Sequence, residues 1–349
     1  MSKILLFTDN HFCTYSSIMR SRGIKYSIRL ENQIKSLNWI NDLGVEKNCD
    51  KIICLGDFFD SASLTSEELS ALKEIRWNDI PKLFIVGNHE MGNNDLSFNS
   101  VNALSKVGTV IDKPTLLGGY GYELLLLPYI LEDNRKSIDT YFNEAYDGTM
   151  TTCEVKNRII LSHNDLAGLQ LGKYISKTGF DINDIDKNCA LFINGHLHNQ
   201  TQISEKIINL GNLTGQNFSE DGFKYSHCAA ILDTDSLKVE LINNPYAFYF
   251  YKIAGNKDEI IQQIQKCSKE YAIGTIKVAQ KDYDEIQALC AQHFKEFRLI
   301  TIPDISIDKQ MQVSAINKCD HIDKFKEYMV QILGSSDIVL EELSRIEQN

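Results

Sequence analysis

Short apolar runs alternate with longer amphipathic stretches over the first 200 residues, a rhythm that predicts a layered α/β domain. Residues 4–8 read as a buried strand, 52–55 as a second and 83–86 as a third. Between them, 31–43 carries Ile34, Leu37, Ile40 and Leu43 at helical spacing, with Gly44 placed to cap the C-terminus. A second helix is predicted over 66–75, with Leu69, Leu72 and Ile75 on one face. Further strands are expected at 123–127, 158–161, 190–193, 206–210 and 229–232. The later ones are too closely spaced for helices between them, so the sheet system becomes partly antiparallel.

The chain breaks at Asn243-Asn244-Pro245, and the aromatic run 246–251 leads into helix 257–269, strand 274–279, helix 283–294 and strand 298–302. That pattern predicts a small second α/β domain. Pro303 ends it, and two amphipathic helices, 321–333 and 337–346, hinged at Gly334-Ser335-Ser336, close the chain. The expected division is therefore 1–245, 246–303 and 304–349. In the last segment, Phe325, Met329 and Leu333 lie on one helical face and Leu340 and Leu343 on the other helix, either as a docking surface or packed on the chain's own domain.

Composition narrows the class. At 349 residues the chain has room for two domains, and 43% hydrophobic with 24% charged residues is ordinary globular composition. No apolar run approaches the roughly 20 residues of a membrane span, and the apolar start is shorter than a secretory core, so a soluble protein is expected. Nine scattered cysteines without a Cys-x-x-Cys pair suit a reducing, cytoplasmic setting. A net charge of −11 excludes coating of nucleic acid by bulk positive charge. One local exception exists: between Asp9 and Glu31 there is no acidic residue, while Arg20, Arg22, Lys25 and Arg29 are interleaved with Tyr15 and Tyr26. Such a stretch is either a solvated loop or a contact for nucleic-acid phosphates.

The chemistry gathers behind the predicted strands, at Asp9-Asn10-His11, Gly56-Asp57, Gly87-Asn88-His89, Ser162-His163 and Gly195-His196-Leu197-His198. Carboxyl ends of parallel strands share one edge, so these residues are expected to converge. A lone histidine after a strand is more often structural than a ligand. Here, however, five of the eight histidines occupy such positions. Asp9, His11, Asp57, Asn88, His163, His196 and His198 offer oxygen and nitrogen without thiolate, which disfavours structural zinc and suits an octahedral manganese or iron ion. Seven ligands exceed one coordination sphere, and Asp57 is the natural bridge between two ions of the kind that hydrolyse phosphate esters.

In this order the motifs D-x-H, G-D, G-N-H, H and G-H-x-H resemble the calcineurin-like metallophosphoesterase superfamily over about residues 3–200. The resemblance implies an α/β fold: a metallophosphoesterase sandwich of mixed β-sheets flanked by helices, with a small α/β capping domain and C-terminal helices. It implies that Asp9, His11, Asp57 and His198 hold one ion and Asp57, Asn88, His163 and His196 the other. His89 would be the unligated acid. The ions would be two divalent cations, Mn2+ foremost, with Fe2+, Mg2+ or Zn2+ as alternatives.

Within the superfamily, protein phosphatases share G-N-H-E, here Gly87 to Glu90, but continue the second motif with an Asp-Arg-Gly that grips phosphate. Here Gly56-Asp57-Phe58-Phe59-Asp60 runs into Ser61-Ala62. The G-D-x-F-D segment, Gly211-Asn212 after the last motif and Phe218-Ser219-Glu220 look like SbcD-type recombination nucleases, including bacteriophage counterparts. Those usually have Asp where Glu90 stands and Gly-Ser where Gly211-Asn212 stands. Asp60 would orient a ligand or a loop, or simply cap a turn. This branch implies DNA as substrate, an SbcC-type SMC-like ATPase as partner on the C-terminal helices, and a homodimer as one option. Another phosphoesterase, acting on phosphoprotein, nucleotide or cyclic nucleotide, is the alternative reading.

Overall fold

The structure, a computed structural model, describes residues 2–14, 23–119, 121–146, 154–171, 174–267 and 270–302. Arg20 and Arg22, both closing helices and with them Phe325, Met329, Leu333, Leu340 and Leu343 lie outside the described residues. In chain order the main elements begin with β1 (Lys3–Phe7), α1 (Ile28–Glu46), β2 (Lys51–Cys54), α2 (Ser66–Ala71), β3 (Lys82–Ile85), β4 (Thr109–Ile111), β5 (Thr115–Gly119) and β6 (Tyr122–Leu127). There follow α3 (Ile138–Ala145), β7 (Arg158–Ser162), α4 (Ile182–Asn188), β8 (Leu191–Asn194), β9 (Thr201–Gln202), β10 (Ile207–Asn209), β11 (Cys228–Asp233) and β12 (Val239–Asn243). The last are β13 (Tyr249–Ile253), α5 (Lys257–Lys266), β14 (Ala272–Ala279), α6 (Tyr283–His293) and β15 (Glu296–Ile302).

Two six-stranded sheets carry the site, in the orders β12-β11-β1-β2-β3-β4 and β9-β10-β8-β7-β6-β5. In the first, β1 to β4 run parallel and β11 returns antiparallel beside β1. In the second, β6, β7, β8 and β10 are parallel, and β5 and β9 are antiparallel edges. Side chains alternate across each strand. Ile4 and Leu6 join Leu124, Leu126, Ile159 and Leu161 in a core between the sheets, while Leu5 and Phe7 pack with Leu37 and Ile40 of α1. On the far side, Leu125, Leu127 and Ile160 meet Ile138 and Phe142 of α3 and Ile185 of α4. The result is helix, sheet, sheet, helix. Both faces of the inner strands are buried, which is why they read as continuous apolar runs.

The described residues between Tyr249 and Ile302 form a third sheet, parallel β13-β14-β15, with α5 and α6 around a core of its own. Phe248, Phe250, Tyr271 and Ile273 pack it against Ile28 and Phe218. No helix among the described residues is long and apolar enough to cross a membrane.

Several expectations need correction. Gly44 does not cap α1; the helix runs on to Glu46, and Gly44 is buried inside it, where an added Cβ would come within 3.0 Å of Ile52 Cδ1. Its missing side chain serves close helix-to-sheet packing instead. The helix expected over 66–75 is a short α2 followed by a 3-10 turn, Leu72–Glu74. The aromatic run before the third sheet is itself partly strand, β13. Sequence pattern also gave no sign of β4, β5, β12, α3 or α4. These are edge strands or helices of eight residues or fewer, too short to establish a period.

Candidate metal centre

The carboxyl ends of β1, β2 and β3 in one sheet and of β7 and β8 in the other open on the same edge. Main-chain bonds lock the turns together there: Asp9 N donates to Gly56 O and His11 N to Asp57 O, both at 3.0 Å. Across the sheets, His196 N donates to Asp9 Oδ2 at 3.0 Å, and within the first sheet His89 N donates to Asp57 Oδ1 at 3.0 Å. Asp9, His11, Asp57 and His196 all adopt positive φ, between 47° and 72°. Each such non-glycine residue costs about 1–3 kcal/mol and persists where surrounding structure fixes it, commonly at functional sites. A Cβ on Gly87 would collide with the Asp57 carboxylate, so that turn reaches the centre only as glycine.

All seven residues expected as ligands meet here. Asp9, His11 and His198 form one set and Asp57, His163 and His196 another, the ligand atoms within each set lying within 4.8 Å of one another. Asp57 faces both, with Oδ2 3.1 Å from His163 Nε2 and 3.8 Å from His11 Nε2. Asn88 Oδ1 lies 2.9 Å from His196 Nδ1. His11 Nε2 and His198 Nε2 face each other at 3.2 Å. Asp9 Oδ1 and His163 Nε2 are buried without a hydrogen-bond partner. Nitrogen and oxygen donors turned toward one another are what divalent cations satisfy, so the residues fit a metal pair.

Outer partners decide which nitrogen each imidazole turns inward. His11 Nδ1 is bonded to Asp60 Oδ1 at 2.9 Å and His163 Nδ1 donates to Leu55 O at 3.0 Å, leaving both Nε2 atoms for the centre. His196 is reversed: Nε2 donates to Asp165 Oδ1 at 3.0 Å, and Tyr129 OH donates to Asp165 Oδ2 at 3.3 Å. That leaves Nδ1 beside Asn88. His198 Nδ1 lies 3.4 Å from Oε1 of Glu220, a buried carboxylate held by Asn212 Nδ2 and Gln216 N, both at 2.8 Å. Asp165→Ala should therefore weaken one of two metal-binding steps about 10- to 100-fold, the usual worth of such a partner. Calorimetric titration of the metal-free protein checks this, and two unchanged steps would contradict it.

The electrostatics point the same way. Burial by itself would raise the Asp9 and Asp57 carboxyls. The imidazoles, His163 first, outweigh it, holding Asp9 well below the usual range and Asp57 at about 2. Burial opposes charge on His11 too, yet its bonds to Asp60 and Asp9 raise it to about 10. His163 rises against burial to about 9, chiefly through Asp57. Glu90, fully buried beneath the third motif, is pushed up to about 8 by burial and then by Asp57. It accepts from Gly87 N at 2.8 Å and Phe59 N at 3.0 Å, tying two ligand turns together.

In the metal-free protein these raised histidines contribute stability that is fully present below the ordinary histidine pKa of 6.5 and lost as pH rises through 9 to 10. Metal binding runs the other way, because the protons must leave. Manganese affinity should rise steadily with pH from about 6.5 to about 8.5, with protons released on binding. Titrations in buffers of different ionisation enthalpy measure that release. A pH-independent affinity without it would show that the imidazoles are not ligands.

His89 sits at the exposed mouth, its ring edge-on to His11 with centroids 4.6 Å apart and Nδ1 3.1 Å from Asp60 O. It also falls within ligand distance of His11 and Asp57. The basic stretch fares differently. Lys25 is paired on the surface with Glu74. Arg29 is 3% exposed and donates to Gly215 O at 3.2 Å and to Gln216 Oε1, while Gln216 Nε2 donates to Asp9 O at 3.2 Å. The expectation of a surface phosphate contact at Arg29 is therefore corrected: its guanidinium is consumed in bracing the first motif from below.

Asp165 and Tyr129 escaped notice in the sequence, and Glu220 stood out only as part of Phe218-Ser219-Glu220, without its role beside His198. A carboxylate two residues beyond His163 was the available signal for Asp165; Glu220 and Tyr129 become neighbours of the centre only through the fold.

The chain matches the calcineurin-like phosphoesterase family over residues 2–224. No curated protein matches it. Among solved structures it is similar to a protein of Thermus thermophilus, at 12% identity over 69% of this chain and 98% of that one, TM-score 0.40. A dimetal phosphatase from Danio rerio shares 12% identity over 70% and 99%, TM-score 0.38. A purple acid phosphatase from yellow lupin (Lupinus luteus) seeds shares 12% over 69% and 52%, TM-score 0.40.

Proposed function

The chain belongs to the calcineurin-like phosphoesterase family, whose members are metal-dependent hydrolases, and from that premise we propose that it is a nuclease hydrolysing phosphodiester bonds of DNA. Bound divalent ions would activate water and offset charge on the phosphoryl oxygens. This chain's own part is to hold them with seven side chains and to place His89 at the mouth.

The observation that carries the reading is the second-motif turn. The resembling protein phosphatases end this motif with Asp-Arg-Gly, whose arginine grips phosphate, whereas this chain has Asp60-Ser61-Ala62 with Ser61 in the arginine's place. Before it, Phe58 and Phe59 are fully buried against Phe12, and Phe58 lies edge-on to Phe84. Asp60 is spent on His11. Phosphate monoesters carry close to two negative charges and diesters one, so a centre without that arginine favours the diester. The SbcD-like features select DNA among diesters. On the same reading, an SbcC-type ATPase is the partner of the C-terminal helices.

The test is a panel for the manganese-loaded protein: linear duplex DNA, a single-stranded oligonucleotide, a chromogenic diester, its monoester and a phosphopeptide. DNA and the diester should turn over at least about 100-fold faster than the monoester and phosphopeptide. The reverse ranking would establish a phosphatase instead.

A further inference from the structure

Two cavities border the metal centre, and they differ in chemistry. The larger, about 760 Å³, reaches Tyr129 beside His196 and includes Arg135 and Lys136, but those cations are already paired with Glu132 and Glu144. It offers a backbone phosphate little. The smaller, about 390 Å³, lies beside the G-H-L-H turn and is lined by both His196 and His198. No Lys, Arg, Asp or Glu is among the described residues that line it.

We infer that this smaller pocket receives the nucleobase adjoining the scissile phosphate. His196 and His198 belong to opposite halves of the ligand set and also line the pocket, so one ester substituent of a phosphoryl group held at the centre enters it directly. Leu169, Leu197, Ile203 and Tyr225 supply apolar and aromatic surface for a flat ring. Asn199, Thr201 and Ser219 add neutral polar groups at its margin. Asn209 donates its amide hydrogens to Leu197 O at 2.6 Å and Asn199 O at 2.9 Å, and its Oδ1 and that of Asn199 are buried without a hydrogen-bond partner. Walls of apolar, aromatic and neutral polar side chains suit a neutral heterocycle and disfavour the charged side chains of a phosphopeptide. The volume lies within the range of small-ligand pockets.

The inference rests on the nuclease reading, and binding separates the two. The manganese-loaded protein is titrated with orthophosphate, deoxyribose 5-phosphate and deoxyadenosine 5′- and 3′-monophosphates. One of the nucleotides should bind about tenfold or more tightly than deoxyribose phosphate, the scale of one base–aromatic contact. Tyr225→Ala should erase that difference while leaving orthophosphate affinity unaltered. Should that variant fail to fold, Ser219→Trp, at an exposed position, should fill the pocket and give the same loss. Equal affinity for nucleotide and deoxyribose phosphate in the wild type, or full preference surviving in a folded variant, overturns the base pocket. Nucleotide preference without any cleavage of DNA would instead overturn the nuclease reading and leave the pocket standing.

Discussion

Replacing Asp57 with Asn should strip the protein of both metal ions. The carboxylate reaches into both ligand sets, with Oδ2 3.1 Å from His163 Nε2 and 3.8 Å from His11 Nε2. Asn is nearly isosteric and still offers an oxygen to His89 N. It also tolerates the positive φ of 47° at this position better than most residues, so the turn should survive. What is lost is one negative charge and one of two coordinating oxygens. Affinity should fall at both positions by about 100-fold or more, beyond the usual effect of removing an outer partner. Metal analysis after manganese loading should drop from two equivalents to less than one. His163→Gln provides the contrast, since it should empty one position and spare the one built on Asp9, His11 and His198. Loss of a single equivalent in Asp57→Asn would mean that the two positions do not share this residue.

The centre was legible in sequence for a physical reason. Strands such as 3–7 are buried on both faces, so their apolar runs are unbroken, and each run ends where the ligands begin. A polar cluster immediately after an apolar run therefore marks the carboxyl edge without any knowledge of sheet order. Residues that act from elsewhere carry no such mark. Arg29 looks like one member of a basic stretch, and only folding reveals that Gly215 and Gln216 accept its hydrogen bonds. Gly44 resembles a helix stop because its packing partner, Ile52, lies on a different element. Strand 239–243 has exposed residues through most of its length and lies at a sheet edge, so it shows no apolar run. Local pattern reports burial along one element. It is silent about what another element brings to the same place.

His89→Gln should leave both manganese ions bound and lower turnover of DNA by about 100-fold or more, the typical contribution of a positioned general acid. The geometry makes this a real choice between roles, because the His89 ring comes within ligand distance of His11 and Asp57. Three features favour the acid. Its Nδ1 is engaged with Asp60 O, its ring is exposed at the mouth rather than buried like His11 and His163, and Asn88 already serves the centre from the same turn. The leaving group supplies a second discriminator. A deoxyribose oxygen departing from DNA needs a proton, whereas nitrophenolate departs readily without one. The loss on DNA should therefore exceed the loss on a chromogenic diester by about tenfold or more. If manganese is lost with activity, His89 is a ligand. If the ions stay and both substrates suffer equally, His89 grips the phosphate rather than handing over a proton, and the proton must then reach the leaving oxygen from water at the open mouth.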